Sequence, residues 1–114
     1  VLVLLVGTTM ASKYIYKNPN QVTFGGEIVS IKEAPDTAKH ANGTKLIAQI
    51  RNQYPGNSKF DTVIGVTAYG YCANILKDLH KHKCCALIVG RLASDKGDSL
   101  FVIPTEVYDL GEEL

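Results

Sequence analysis

The sequence predicts an all-β domain that contains one helix and closes into a five-stranded barrel. The first observation is the order of the periodic segments, which is strand, strand, strand, helix, strand, strand. The second is a compact unit at residues 62–92, where a strand, a short helix and an apolar strand follow one another with almost no linker. The third is a pair of glycines inside the first predicted strand, as expected where a strand turns a barrel corner.

Composition and charge fit one globular domain. The chain has 114 residues, of which 46% are hydrophobic and 20% are charged, and this is enough to build one core. The net charge of +1 does not by itself indicate a polyanionic partner. Residues 104–114, however, contain four acids and no base, so the rest of the chain is basic and can bind phosphates locally.

Residues 1–21 precede the predicted barrel. Residues 1–9 begin with an apolar run that is too short to span a bilayer, and we expect an artificial or out-of-frame extension ahead of a native start at Met10. The alternative is an added edge strand that docks on a neighbouring subunit. Residues 13–21 are polar and aromatic and predict a mobile arm.

The first two strands are predicted at Val22–Ile31 and Lys45–Arg51. The glycine pair in the first strand is Gly25-Gly26, and the loop at 34–43 ends on an Asn-Gly hairpin signal. A loop rich in turn residues follows the second strand. By alternation, the second strand has three inward residues, Leu46, Ala48 and Ile50.

The unit at 62–92 supplies the third strand and the helix. Ile64 and Val66 alternate onto the core face of the strand, so Tyr69 points outward. Gly70 stands where the strand must break. The helix is about three turns long. Its apolar residues at i, i+3, i+4 and i+7 share one face, and they are Cys72, Ile75, Leu76 and Leu79.

Two more strands complete the chain. An apolar strand ends at Leu92, and a last strand spans Leu100–Leu110, where Pro104 implies an edge or bulged position. Three strands, one helix and two strands are the elements of an OB-fold, a five-stranded Greek-key barrel with an α-helix between strands 3 and 4. We place this domain at 22–110 and a short acidic stub at 111–114.

The unit at 62–92 also carries a motif. A strand ends in an aromatic residue and glycine, a helix begins near an alanine, a leucine lies close to a basic turn, and a strand closes on glycine and leucine. The matching residues are Val66, Tyr69-Gly70, Ala73, Leu79 with Lys83, and Val89-Gly90-Arg91-Leu92. This pattern resembles the bacterial and phage single-stranded DNA-binding protein family, and the match extends more weakly over 22–110. The family's long tail with an acidic tip is matched by no more than a stub at 109–114, so we expect the chain to be most like a short phage version.

The resemblance implies an OB-fold protein, with no cofactor and no enzymatic activity, that binds single-stranded DNA independently of sequence. It implies coating and protection of exposed strands in phage replication or recombination in the bacterial host cytoplasm. The protein would be a homo-oligomer, a dimer or tetramer, with replication or recombination proteins as further partners. Tyr69 matches a base-stacking aromatic residue, and Tyr54 falls where the family often has a stacking tryptophan. Because Val63 stands at another tryptophan position, weaker stacking or fewer bound nucleotides would follow.

Binding a single strand requires aromatic faces for the bases and cations along the phosphates. Tyr69 and Arg51 are predicted to face outward on adjacent strands, and Tyr54 lies on the loop between them. For any one lysine a solvated surface role is the simpler interpretation, and Phe60 is expected to pack at the entrance of a strand. The candidate nucleic-acid-binding residues are Lys45, Arg51, Tyr54, Lys59, Phe60, Tyr69, Arg91 and Lys96.

Other functional classes have less support. His80, His82, Cys84 and Cys85 are metal-ligating residue types, but their spacing matches no usual zinc site. We expect no metal there, and a basic helix end followed by buried thiols is the simpler interpretation. The three cysteines predict reduced thiols in a cytosolic protein. No catalytic motif and no membrane-spanning run stands out.

A second function class remains open from the sequence. The near-neutral net charge and the small number of aromatic residues also fit an OB-fold protein-interaction module, such as a primosome-type adaptor with weak nucleic-acid binding. The two classes differ in whether the main ligand is single-stranded DNA or protein.

Overall fold

The computed structural model describes residues 19–35 and 44–112. They form β1 (Val22–Pro35), β2 (Thr44–Asn52), a 3-10 turn (Ser58–Phe60), β3 (Thr62–Tyr69), α1 (Gly70–Lys81), β4 (Cys84–Ser94) and β5 (Leu100–Glu112). The predictions for residues 1–18, for the Asn-Gly turn of the first loop and for the last two residues of the chain lie outside the described residues.

The strands close into a barrel in the order β1-β2-β3-β5-β4. Every neighbouring pair is antiparallel except β3 and β5, which run parallel over a short contact. The helix α1 lies between β3 and β4 in the chain and contacts all five strands. This is the topology of the OB-fold, and the predicted fold class is confirmed.

The first strand changes partners at its glycine pair. Residues Val22–Gly26 pair with β4, whereas Glu27–Pro35 pair with β2. The two partners can be reached only because Gly26 has no side chain, since a Cβ there would lie 2.1 Å from the carbonyl oxygen of Arg51. The predicted bend is therefore confirmed. The register shift lies between Ile28 and Ser30 instead, and the strand runs to Pro35 rather than ending at Ile31.

The barrel interior holds the apolar residues that alternation predicted. Leu46, Ala48 and Ile50 of β2 are all 1% exposed or less, which confirms their inward assignment. The helix adds Leu76, which is fully buried, and burial of such a side chain contributes about 1.5 to 3 kcal/mol. The predicted helix face is shifted slightly, because Ala73 is buried and Ile75 only packs against the edge of the core.

A bulge joins β4 to β5 at the predicted proline. Val89 pairs with Glu106 and Gly90 pairs with Pro104, so Thr105 is the extra residue of the bulge. The Thr105 hydroxyl donates to the Val89 carbonyl oxygen at 3.1 Å. The bulged position expected for Pro104 is confirmed, because its missing N–H falls where the ladder is already interrupted.

The barrel makes contacts beyond residues 22–110 at both ends. The strand β5 continues to Glu112 instead of stopping at Leu110. At the other end, the Asn20 side chain accepts a hydrogen bond from the Leu92 N–H at 2.8 Å and donates one to the Leu92 carbonyl at 2.9 Å. Asn20 was assigned to the arm, yet it lengthens the contact between the start of β1 and β4.

Candidate nucleic-acid interface

Lys45 and Tyr69 face each other across the β2–β3 ladder. Both are partly exposed, and their neighbours Leu46 and Ala68 are buried in the core, so this pair lies on the outer face of the barrel. Directly opposed residues have Cβ atoms about 4.5 to 5.5 Å apart. The pairing of strands two and three thus brings a phenol ring and an ammonium-bearing chain together on one surface. We call them the helix-end pair.

The turn after Tyr69 fixes its position. Tyr69 has extended backbone angles and is the N-cap of α1, while Gly70 has a φ of +59°. That left-handed conformation is accessible to glycine at little cost, and it lets the chain pass from strand to helix within one residue. Tyr69 therefore stands directly at the junction between β3 and α1.

Between Lys45 and Arg51 the outward residues of the β2–β3 hairpin carry no charge. Ile47 lies opposite Thr67, and Gln49 lies opposite Gly65. On the neighbouring strand, exposed Lys32 lies opposite Ile47. The sequence prediction missed Lys32, although its place after the inward Ile31 would have identified it as outward.

Arg51 lies at the far end of the same face. It is separated from Lys45 by about 20 Å along an extended strand, and it pairs directly with Glu27 of β1. The Glu27 carboxylate offsets the charge of the guanidinium group. Arg51 therefore attracts a phosphate less strongly than an arginine with no acidic neighbour would. The sequence alone does not show that Arg51 pairs with Glu27.

The β2–β3 loop presents two aromatic rings. Tyr54 and Phe60 are 54% and 59% exposed, and their ring centroids lie 5.3 Å apart in an edge-to-face arrangement. The loop is held by the Asp61 carboxylate, which accepts from the Tyr54 N–H at 2.9 Å, and by Asn57, whose side chain accepts from the Lys59 N–H at 3.1 Å. Phe60 was expected to pack at a strand entrance, but it is exposed. With Arg51, these residues form the loop-end group (Arg51, Tyr54, Lys59, Phe60).

Arg91 and Lys96 form a third group on the β4 side of the barrel. Arg91 is exposed opposite Ile103 of β5, and Lys96 is exposed in the loop between β4 and β5. That loop is folded by Asp95, whose carboxylate accepts from Gly97 N–H at 2.8 Å and from Ser99 N–H at 3.1 Å. Because β5 lies between β3 and β4, these two cations do not lie beside Tyr69.

The sequence prediction also missed an aromatic residue. Phe101 is partly exposed at the start of β5 and pairs with Gly65 of β3. The Phe101 Cβ lies 3.8 Å from where a Gly65 side chain would begin. Alternation with the buried Val102 assigns Phe101 to the outside, but its proximity to β3 depends on a pairing between distant parts of the chain.

The histidines and cysteines do not gather into a metal site. Within residues 19–35 and 44–112, no group of three or more His, Cys, Asp or Glu side chains could hold a metal ion. Cys72 is buried, whereas Cys84 and Cys85 are half-buried rather than buried as expected, and none of the three forms a disulfide. Burial raises the pKa of the Cys72 thiol. The pKa of Cys84 is also raised, mainly by desolvation and next by the negative charges of nearby Asp109 and Glu112. Neutral thiols are poor metal ligands.

The barrel and its outer face place the chain among OB-fold structures. It is similar to a small single-stranded DNA-binding protein from Mycoplasma pneumoniae, with a TM-score of 0.59 and 20% identity over 83% of this chain and 91% of that one. It is also similar to a mitochondrial single-stranded DNA-binding protein from S. cerevisiae, with a TM-score of 0.64 and 19% identity over 82% and 97% of the two chains.

A third similar structure carries a different name. PriB from Ralstonia solanacearum matches with a TM-score of 0.58 and 13% identity, over 82% of this chain and 99% of that one. At these identities the likenesses show a shared fold. No protein-family model and no curated protein matches the chain. None of the described helices is long and apolar enough to cross a membrane.

Proposed function

We propose that this protein binds single-stranded DNA independently of sequence, as a binding protein with no catalytic role. The observation that carries the proposal is the helix-end pair, in which Tyr69 and Lys45 are direct neighbours on the outer face of β2 and β3. A tyrosine ring offers a stacking surface to any unpaired base, and a lysine beside it attracts the adjoining phosphate. The similar structures named for single-stranded DNA binding support the same ligand.

The biological setting is a further part of the proposal. We propose that the protein coats exposed strands during replication or recombination, in a phage or its bacterial host cytoplasm, as a homo-oligomer with other replication proteins as partners. The support is the aromatic-glycine motif at Tyr69-Gly70, where β3 meets α1, which resembles that of the single-stranded DNA-binding protein family.

A titration tests the ligand. Fluorescence anisotropy of labelled oligo-dT and of a labelled duplex is measured with the protein at two salt concentrations. We expect oligo-dT to bind more tightly than the duplex. Its affinity should fall at the higher salt, because protein binding releases cations from the strand and this release is less favourable when the salt concentration is high. Equal affinity for both nucleic acids would contradict single-strand selectivity.

Failure to bind either nucleic acid would favour the second candidate function. The likeness to PriB and the net charge of only +1 support an OB-fold adaptor whose main ligand is protein. In that case the outer face of β2 and β3 would contact a protein surface, and the exposed rings of Tyr54 and Phe60 would serve as anchors for it.

A further inference from the structure

Gly65 leaves an open notch in the outer face of β3. It lies between Gln49 of β2 and Phe101 of β5, its partners on the two sides. If a Cβ is built on Gly65, the nearest atom is the Phe101 Cβ at 3.8 Å, an ordinary contact distance. The surface above Gly65 is therefore open and has room for a side chain.

The fold itself does not require glycine at this position. Gly26 and Gly90 are required by close backbone approaches, with carbonyl oxygens 2.1 and 2.2 Å from where their Cβ atoms would lie. Gly70 has a positive φ, but Gly65 has neither a positive φ nor a backbone clash. Glycine weakens the interior of a strand, and it often marks a site where a ligand approaches the backbone closely.

The walls of the notch suit a nucleobase. Phe101 contributes a partly exposed aromatic side chain, and Gln49 contributes an exposed amide that can both donate and accept hydrogen bonds. An amide with both capacities tolerates any base edge, and an aromatic contact is likewise tolerant of sequence. A protein partner would require a larger apolar surface than a single open residue provides.

We propose that Gly65, Phe101 and Gln49 form a nucleobase subsite, in which one base lies over the Gly65 backbone against Phe101. The subsite lies about 13 Å along β3 from Tyr69, with Thr67 as the outward residue between them. It extends the interface from the helix-end pair toward β5 and the loop that carries Lys96. This inference rests on the proposed single-stranded DNA binding.

Filling the notch tests the subsite. Gly65→Val adds a β-branched side chain that strands favour, and no backbone atom lies close enough to clash with its Cβ. We expect the variant to melt at or above the wild-type temperature and to bind oligo-dT at least about fivefold more weakly. The matched control is Thr23→Val, which introduces the same side chain at an exposed position of β1 opposite Val89 and should leave affinity unchanged.

Phe101→Leu provides an independent test, because it removes the ring and keeps an apolar side chain. We expect a similar loss of affinity, and photocrosslinking of iodouracil-substituted oligo-dT to the wild type should map to the peptide that contains Phe101. If the wild type binds oligo-dT while Gly65→Val binds equally well and no crosslink maps to that peptide, the subsite is refuted and the proposed function stands. If the wild type does not bind oligo-dT, the proposed function itself fails.

Discussion

Tyr69 combines a structural position with an exposed chemical group. Its backbone closes β3 and caps α1, while its side chain lies on the outer face opposite Lys45. The outward direction of both side chains follows from period-two alternation, so the sequence was sufficient to predict it. The pairing of Arg51 with Glu27 was not predictable, because it depends on the β1–β2 register, which shifts between Ile28 and Ser30.

Replacing the Tyr69 ring should weaken DNA binding. We expect Tyr69→Ala to make oligo-dT binding less favourable by about 1 to 3 kcal/mol, because one base loses its stacking surface. Anisotropy titrations at fixed salt measure this difference, and circular dichroism checks that the variant is folded.

Tyr69→Phe is the matched variant, since it keeps the flat ring and removes only the hydroxyl group. Its affinity should remain close to that of the wild type. A folded Tyr69→Ala variant with wild-type affinity would place the binding face elsewhere on the barrel.

At the scale of elements, the strands are joined at two points of close backbone approach. One is Gly26 against β2, where β1 leaves one partner for the other, and the second is Gly90 of β4 against β5. The sequence indicated the first through its glycine pair and the second through Pro104. It could not predict where the extra residue of each bulge falls, because that is set by the pairing with the partner strand. Across the bulges the inward alternation changes parity, from Ile28 to Ile31 in β1 and from Pro104 to Val107 in β5.

The Gly90 contact makes a prediction about stability. In Gly90→Ala the new Cβ would lie 2.2 Å from the Ile103 carbonyl oxygen and 2.6 Å from the Pro104 Cα. Both are backbone atoms of the paired strand, so the strands must separate. We expect the free energy of unfolding to fall by about 1 to 3 kcal/mol, because the clash outweighs the roughly 0.4 to 1 kcal/mol that alanine gains through the unfolded chain. Urea unfolding measures the change.

Gly97→Ala is the control for the same chemical change. Its nearest contact would be the Asp95 Oδ1 atom at 3.5 Å, and its φ is not in the left-handed region. We expect its free energy of unfolding to stay within about 0.5 kcal/mol of the wild type. Equal stability of the two variants would mean that β4 and β5 can separate locally at little cost.

At the scale of the whole molecule, the barrel distributes its candidate groups over more than one face. The helix-end pair and the loop-end group lie at opposite ends of β2 and β3, while Arg91 and Lys96 lie beyond β5. Alternation predicts inside and outside, but the parallel β3–β5 contact that brings Phe101 to Gly65 joins segments far apart in the chain. Such a contact depends on closure of the barrel, so no local pattern indicates it.

An exposed apolar cluster lies over Gly25 of β1, next to the Arg51 end of β2. Leu87 and Leu110 meet over Gly25, with their Cδ1 atoms 3.3 and 3.1 Å from where its Cβ would lie. Leu110 is 54% exposed, and Tyr108 beside it is 48% exposed. The acids of β5, Glu106 and Glu112, border this cluster, so a polyanion is disfavoured there. A second copy of the chain is the occupant that fits the proposed homo-oligomer.

We therefore expect the proposed oligomer to depend on Leu110. Light scattering of the wild-type protein should give a multiple of the 12.4 kDa chain mass. Leu110→Asp should shift the mass toward that of one chain, because a carboxylate that is buried without a partner at an interface is costly. Leu100→Asp, at a leucine that is 63% exposed at the other end of β5, should leave the mass unchanged. A wild-type mass of one chain would refute the oligomer, and an unchanged mass in Leu110→Asp would place the interface on another face.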